Sequence, residues 1–322
     1  MIRPNSTLAA AALALLSTAI LSFTDNFVAP ISEMAGLWQF QVMRTLFALP
    51  MLLVVALVFG VTIRPGNLPA LMGRSIAVAA GLLVYFATLG LLPVSQAGAG
   101  LFSAPIWVML FSVTLLGKRI GRRRVMAMGA GFLGVLLLLQ PDVTNLTALS
   151  VLPLLAGALY GAGALLTRHF CQRESAPALA FGVFATMGVS SLVLLLYFTF
   201  FPVPAENQQF FTRGWEPMNP RFLWLTFCQA VGATAAVSLI AVAYRAGETD
   251  FVAVCEYSFL VFAAIWTFVL WGQSTGLVAQ LGIGVILISG TIMFVLDRNA
   301  NRRAQDAAVS GTRVSKGETS WN

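Results

Sequence analysis

Charge is what this chain has least of. Only 10% of its 322 residues are charged while 58% are hydrophobic, against roughly a quarter charged in soluble domains. That balance excludes a water-soluble fold. His169 is the only histidine, and with no HExxH, DxxD or paired-carboxylate pattern beside it, hydrolase or transferase chemistry finds no support. Cys171, Cys228 and Cys255 stand apart in apolar contexts without CxxC spacing. They supply neither a disulfide framework nor a zinc site and read as packing residues. No basic stripe with interleaved aromatics exists, so the net charge of +7 does not point to nucleic acid. Nor is a cofactor expected. Gly129 to Gly134 fits the spacing GxGxxG, but it lies inside an apolar run, with no strand before it and no ribose-binding acid after it.

Long apolar runs are what the chain has in quantity. In 94–141 a run over 97–116 leads into a turn carrying Lys118, Arg119, Arg122, Arg123 and Arg124, and a second run covers 125–139. Each approaches the ~20 residues that cross a ~30 Å hydrocarbon layer, giving a hairpin with a cationic tip. The other runs are 8–29, 37–60, 71–92, 149–167, 176–201, 222–244, 251–272 and 276–296, ten in all. The first is read as a retained span rather than a cleaved leader, because it contains Asp25 and Asn26 and no small-residue cleavage site follows. Connections are short except 202–220, PVPAENQQFFTRGWEPMNP, an extramembrane loop.

Ten spans fix which connections share a side. Of the 19 lysines and arginines, Arg44 falls inside a span and only Arg213 and Arg221 fall on one side. The remainder lie on the other side, Arg74 being counted there, and this asymmetry places both termini in the cytoplasm. The halves also repeat. FQVMRTLFALPMLLVV from Phe40 aligns without gaps on FGVFATMGVSSLVLLL from Phe181, Gly117 pairs with Gly272, and Gly129 pairs with Gly284. Five spans per copy is an odd number, so the second copy runs through the bilayer upside down, the inverted-repeat design of many secondary transporters.

The segments LPVSQAGAGLFSAPIWVMLFSVTLLGKRIGRRR and GAGFLGVLLLLQP, with VCEYSFLVFAAIWTFVLWGQ and LGIGVILISG in the second copy, resemble the EamA-type branch of the drug/metabolite transporter superfamily over 8–297. The resemblance implies a cytoplasmic-membrane carrier of small organic solutes, often an exporter. It departs from the family at Lys118 and Gln273, where an acid usually follows the glycine. The Glu256-Tyr257 pair is similar to members tied to riboflavin or S-adenosylmethionine transport.

Asp25, Arg44 and Glu256 are the charges clearly inside spans, each costing about 3 kcal/mol at mid-helix. Asp25 and Arg44 sit near the outer ends of the first two spans, where an ion pair serves as a packing tie or as a gate. Glu256 has no basic residue near it in sequence and is the candidate for proton coupling or cation recognition; capping a neighbouring polar group is the alternative. Asn26, Tyr85, Ser103, Trp107, Tyr160, Gln229, Tyr257 and Trp266 supply the aromatic walls and polar contacts of a candidate solute cavity. Trp38, Trp224 and Trp271 read as interface anchors. Gly157 and Gly161 read as a close helix contact, and Pro105 as a kink in the fourth span.

The expectation is an all-α polytopic membrane protein of ten transmembrane helices in two inverted five-helix repeats, 8–141 and 149–297, with a disordered cytoplasmic tail over 298–322. Its function is that of a secondary transporter in the bacterial inner membrane, working by alternating access, with proton coupling and export left open. Its partners are a small-molecule substrate and the lipid bilayer, a homodimer also being left open. A passive channel or membrane scaffold is the alternative, and an intramembrane enzyme a further one.

Overall fold

A computed structural model describes residues 7–88, 91–92, 94–141, 148–272 and 274–318, with side chains for all of these except 94, 205, 271 and 301–318. Gln273 lies outside the described residues, as does the side chain of Trp271.

Every extended element among the described residues is helical. The first half contains α1 (Thr7–Thr24), α2 (Val28–Met34), α3 (Leu37–Val58), α4 (Leu68–Thr88), α5 (Val94–Leu101), α6 (Ala104–Thr114) and α7 (Arg122–Leu139). The second contains α8 (Val151–Phe170), α9 (Ala176–Phe200), α10 (Pro220–Ala246), α11 (Thr249–Cys255), α12 (Ser258–Trp271) and α13 (Leu277–Glu318). Helices are what such runs must form, because a chain in hydrocarbon has to satisfy its own N–H and C=O groups.

Nine helical stretches among the described residues are long and apolar enough to cross a bilayer. The tenth expected span falls on α7, which has 18 residues and spends its first turn on Arg122, Arg123 and Arg124. Large apolar side chains face outward all over the bundle, among them Leu57, Phe59, Phe200 and Leu277, each more than 70% exposed. Water would not tolerate that surface, whereas lipid solvates it.

Small residues set the helix contacts. A Cβ added to Gly157 would lie 2.5 Å from the carbonyl oxygen of Gly100, and one on Gly161 would lie 3.0 Å from that of Ala104, so α8 can approach α5 and α6 only through these two glycines. The principal pairs across the two halves are α4 with α8, α1 with α10, α7 with α13 and α3 with α9. Further contacts join α5 and α6 to α8, α11 and α12 to α1, α3 to α10 and α4 to α9.

Among the described residues, three spans are interrupted. Between α1 and α2 a 3-10 turn covers Asp25–Phe27, where Pro30 offers no N–H to the carbonyl of Asn26. Between α5 and α6 the break lies at Phe102 and Ser103, and Pro105 leaves the carbonyl of Leu101 without its helical donor. The kink expected from Pro105 is thus a full interruption, two to three residues before the proline. The third break, at Glu256 and Tyr257, separates α11 from α12.

The loop before α10 wraps over the start of α3. Trp38 Nε1 donates to the Phe211 carbonyl at 2.6 Å, and Gln39 exchanges two 2.8 Å hydrogen bonds with the backbone of Glu216. Trp38 is only 4% exposed and therefore is not the interface anchor its position near a span end implies; Trp224, 63% exposed, faces outward. Helical backbone in α13 also extends past Asp297 to Glu318, through the segment for which disorder is expected. The Ala, Arg and Gln residues there are strong helix formers.

Candidate functional site

A cavity of about 170 Å³ lies within the bundle, walled by α1, α3, α4, α5, α6, α8, α9, α10 and both sides of the α11–α12 break. Arg74 and Tyr85 both line it from α4. They stand eleven residues apart in sequence, so it extends over about 16 Å of helix rise.

The α11–α12 break delivers Glu256 into this space. Tyr160 Oη from α8 and Tyr244 Oη from α10 donate to its two carboxylate oxygens, each at 2.6 Å. Those are lengths of charge-assisted O–H···O⁻ bonds. Around the break the amides step down to i−3 carbonyls, Tyr257 to Val254 and Phe259 to Glu256. Ser258 Oγ caps the free carbonyl of Cys255 at 2.7 Å while lying 2.8 Å from Thr18 Oγ1 of α1. At the other break Ser103 Oγ likewise donates to the carbonyl three residues back, that of Gly100, at 2.6 Å, beside its own backbone N–H. Tyr257 is fully buried against the cavity, and its hydroxyl has no hydrogen-bond partner among the described residues.

Asp25 and Arg44 line the same cavity, yet no ion pair joins them among the described residues. The expected tie between them is corrected on that point. Asp25 instead accepts a 3.3 Å hydrogen bond from Gln229 Nε2. The guanidinium of Arg44 sits 5.4 Å from the centroids of both Phe40 and Phe184, with the thioether sulfur of Met187 at 3.6 Å from Nη2. Arg74 stands near the opposite end, giving Nε to Thr167 Oγ1 at 2.9 Å and Nη1 to the Leu179 carbonyl at 2.7 Å.

Of the residues singled out in sequence, Asp25, Arg44, Tyr85, Tyr160, Glu256 and Tyr257 meet in the cavity, and Gln229 touches it through Asp25. Four lie elsewhere. Asn26 bonds back to the carbonyls of Ser22 and Phe23, and Ser103 caps its break while receiving Trp107 Nε1 at 3.1 Å. Trp266 donates to the Ala19 carbonyl and packs edge-on against Phe23. Arg74 and Tyr244 are cavity residues that sequence reasoning passed over. Their signal is faint: each lies near the end of an apolar run that faces the basic side, where charge and aromatic rings are ordinary. His169 Nδ1 lies 3.0 Å from the carbonyl of Leu165 in its own helix, a packing role. No group of three or more His, Cys, Asp or Glu able to hold a metal occurs among the described residues.

A group of ion pairs links α8, α11 and α13 with the Lys118–Arg124 turn. Glu248 holds Lys118 at 3.0 Å and Arg168 at 3.5 Å, while Arg124 holds Asp250 and Asp297, each at 3.0 Å. Partial burial opposes the charge on Glu248, but the hydrogen bond and charge of Lys118, with Arg168 and Arg124 behind them, hold its carboxyl below the ordinary 4.5.

Residues 8–140 match the model of the EamA-like transporter family. That match covers less than half of the chain. Two curated relatives extend the likeness beyond it. A riboflavin transporter of Rhizobium johnstonii is 26% identical over 94% of this chain and 92% of its own. A pseudopaline exporter of Pseudomonas aeruginosa is 24% identical over 72% of this chain and 77% of its own. A solved crystal structure superposes on 89% of this chain and 99% of its own, with a TM-score of 0.70 and 18% identity, a likeness of fold. With nine helical stretches long and apolar enough to cross a bilayer among the described residues, the chain is a multi-pass membrane protein, and the relatives it resembles are named as transporters.

Proposed function

We propose that this EamA-like chain is a secondary carrier of a small organic solute in a bacterial inner membrane, alternating access to the cavity between its halves. The observation that carries this reading is the cavity itself. Helices from both halves enclose it, it holds two carboxylates and two guanidiniums, and it is reached by breaks in three of the spans. Unwound helices meeting at mid-membrane are how inverted-repeat carriers build their sites.

Three observations support two inverted five-helix copies, with α7 as the tenth span. Exchanging α1 with α8, α3 with α9, α4 with α10, α5–α6 with α11–α12 and α7 with α13 maps the main cross-half contacts onto themselves. The breaks at Phe102–Ser103 and Glu256–Tyr257 fall at matching places, each capped by a serine bonding three residues back. Gly117 and Gly272, paired by sequence, both adopt left-handed backbone, at φ 63° and 64°. Both ends of the chain then lie in the cytoplasm, on the side of the ion-pair group, and the loop before α10 covers the outer side.

The test is counterflow in proteoliposomes with riboflavin as the first probe. Saturable exchange that requires solute on both sides is the expected result, and a linear, unsaturable flux would make the protein a channel. Reporter fusions at the two termini are expected to give the same cytoplasmic signal, and opposite signals would remove the inverted repeat. Glu256 is the proposed coupling residue. Glu256→Gln is expected to flatten the pH dependence of exchange, whereas an unchanged profile would leave the glutamate a structural role.

A further inference from the structure

We propose that Arg44 seats an oxyanion of the solute, a carboxylate or a phosphate ester, and that Arg74 is a second post for the same group at another depth of the cavity. This rests on reading the cavity as the solute path and goes on to name the chemistry of its cargo.

Arg44 is 6% exposed, and its Nε has no partner among the described residues. A guanidinium carries five N–H donors in a planar fork, and here the hydrogen bond made is to the weak acceptor sulfur of Met187. Phe40 and Phe184 flank the group at equal distances, which fixes its position without using its N–H groups. The nearest countercharge, Asp25, acts on Arg44 only through space, beyond ion-pair contact, and is itself engaged by Gln229. Burying a cation with so few partners is costly unless something arrives to pair with it. A bidentate oxyanion matches the fork in shape and charge.

Arg74 repeats the pattern with neutral partners only. It is 4% exposed, is held by a threonine hydroxyl and a backbone carbonyl, and faces the same cavity. Both arginines contact α9, at Phe184 and Met187 for one and at Leu179 for the other. That spacing of five to eight residues puts the two posts roughly 8–12 Å apart along the helix. The remaining carboxylate, Glu256, is already occupied by two hydroxyls. Aromatic walls at Tyr85, Phe86 and Phe259 favour a solute with a ring attached to its anionic group.

The experiment measures dissociation constants of the full-length protein in nanodiscs, by ligand-induced rise in melting temperature, for matched pairs. The pairs are phenylacetate with phenylacetamide, phenyl phosphate with phenol, and flavin mononucleotide with riboflavin. The expected result is that at least one anion binds about tenfold or more tightly than its neutral partner, with the winning pair telling carboxylate from phosphate. Arg44→Gln is expected to erase that preference, Arg44→Lys to keep part of it, and Asp25→Asn to leave it intact or raise it. Neutral members binding as well as anions, no anion binding in any pair, or a preference surviving Arg44→Gln would each overturn the proposal. The wild-type pairs decide the matter even where Arg44→Gln does not fold. Counterflow of the same pairs separates the two readings: an anion that binds without being exchanged overturns the carrier and leaves the post, and exchange indifferent to charge does the reverse.

Discussion

Glu256 between two phenols is the tightest polar arrangement in the cavity. A hydrogen bond to a charged group contributes about 1.5–3 kcal/mol, and removing one hydroxyl leaves a carboxylate oxygen with nothing to replace it in an apolar wall. Tyr160→Phe and Tyr244→Phe are each expected to lower the melting temperature of the detergent-purified protein by several degrees. In a Glu256→Gln background the same substitutions are expected to cost less than half as much, because three groups in one network do not act additively. Equal costs in both backgrounds would mean that the phenols serve the packing and not the glutamate. Sequence was informative at Glu256 and Tyr160, where polarity interrupts an apolar run. It was uninformative at Tyr244 and Arg74, because which side of a helix such residues face is decided by the neighbouring helix. It was misleading at Asp25 and Arg44: two opposite charges at similar depth suggest a pair, yet Gln229 on α10 and the two rings beside Arg44 take their places.

At the scale of elements, the broken helices govern the site. Each break is stabilised locally by a serine that takes the carbonyl three residues back, so the interruption of α5–α6 and that of α11–α12 are built alike although only one contains a proline. Gly272 is the C-cap of α12, and Gly117 stands in the turn just after α6. An added Cβ would meet nothing within 4 Å at either position, so the demand for glycine comes from the left-handed φ alone. Alanine there costs about 1–2 kcal/mol, and asparagine is tolerated better. Gly117→Ala and Gly272→Ala are expected to lower thermal stability by similar amounts, with Gly117→Asn milder than Gly117→Ala. A Gly117→Ala protein as stable as wild type would remove this account. Spans, the long loop and the two equivalent glycines were legible because each is a short stretch of sequence. The α11–α12 break carries no proline and shows itself only in the hydrogen bonds around Tyr257.

Across the whole molecule, the ion pairs Lys118–Glu248, Arg124–Asp250 and Arg124–Asp297 tie the two halves together. Glu248 is stabilised in its charged form, so the folded state binds protons less readily there than the unfolded chain does. The contribution of Glu248 is therefore present above its ordinary value of 4.5 and is lost as pH falls through its lower folded value. Its side chain is 33% exposed, which limits the effect to about 1 kcal/mol or less. Melting temperature is expected to fall as pH drops below about 4.5, and Glu248→Gln to reduce that fall. An identical acid profile for wild type and Glu248→Gln would assign the loss to other carboxylates.

What the sequence determined by itself follows from a free energy local to each stretch. Transferring an apolar run into lipid depends on that run alone, so the helical class, most of the spans and the imbalance of basic residues could be read in order along the chain. Which side chains share the cavity is not local. These helices are apolar on every face, so nothing in the pattern of any one fixes its rotation about its own axis, and a single residue of register turns a side chain by about 100°. Close packing at Gly157, Gly161 and their partners sets those rotations, and with them the company kept by Arg44, Arg74 and Glu256.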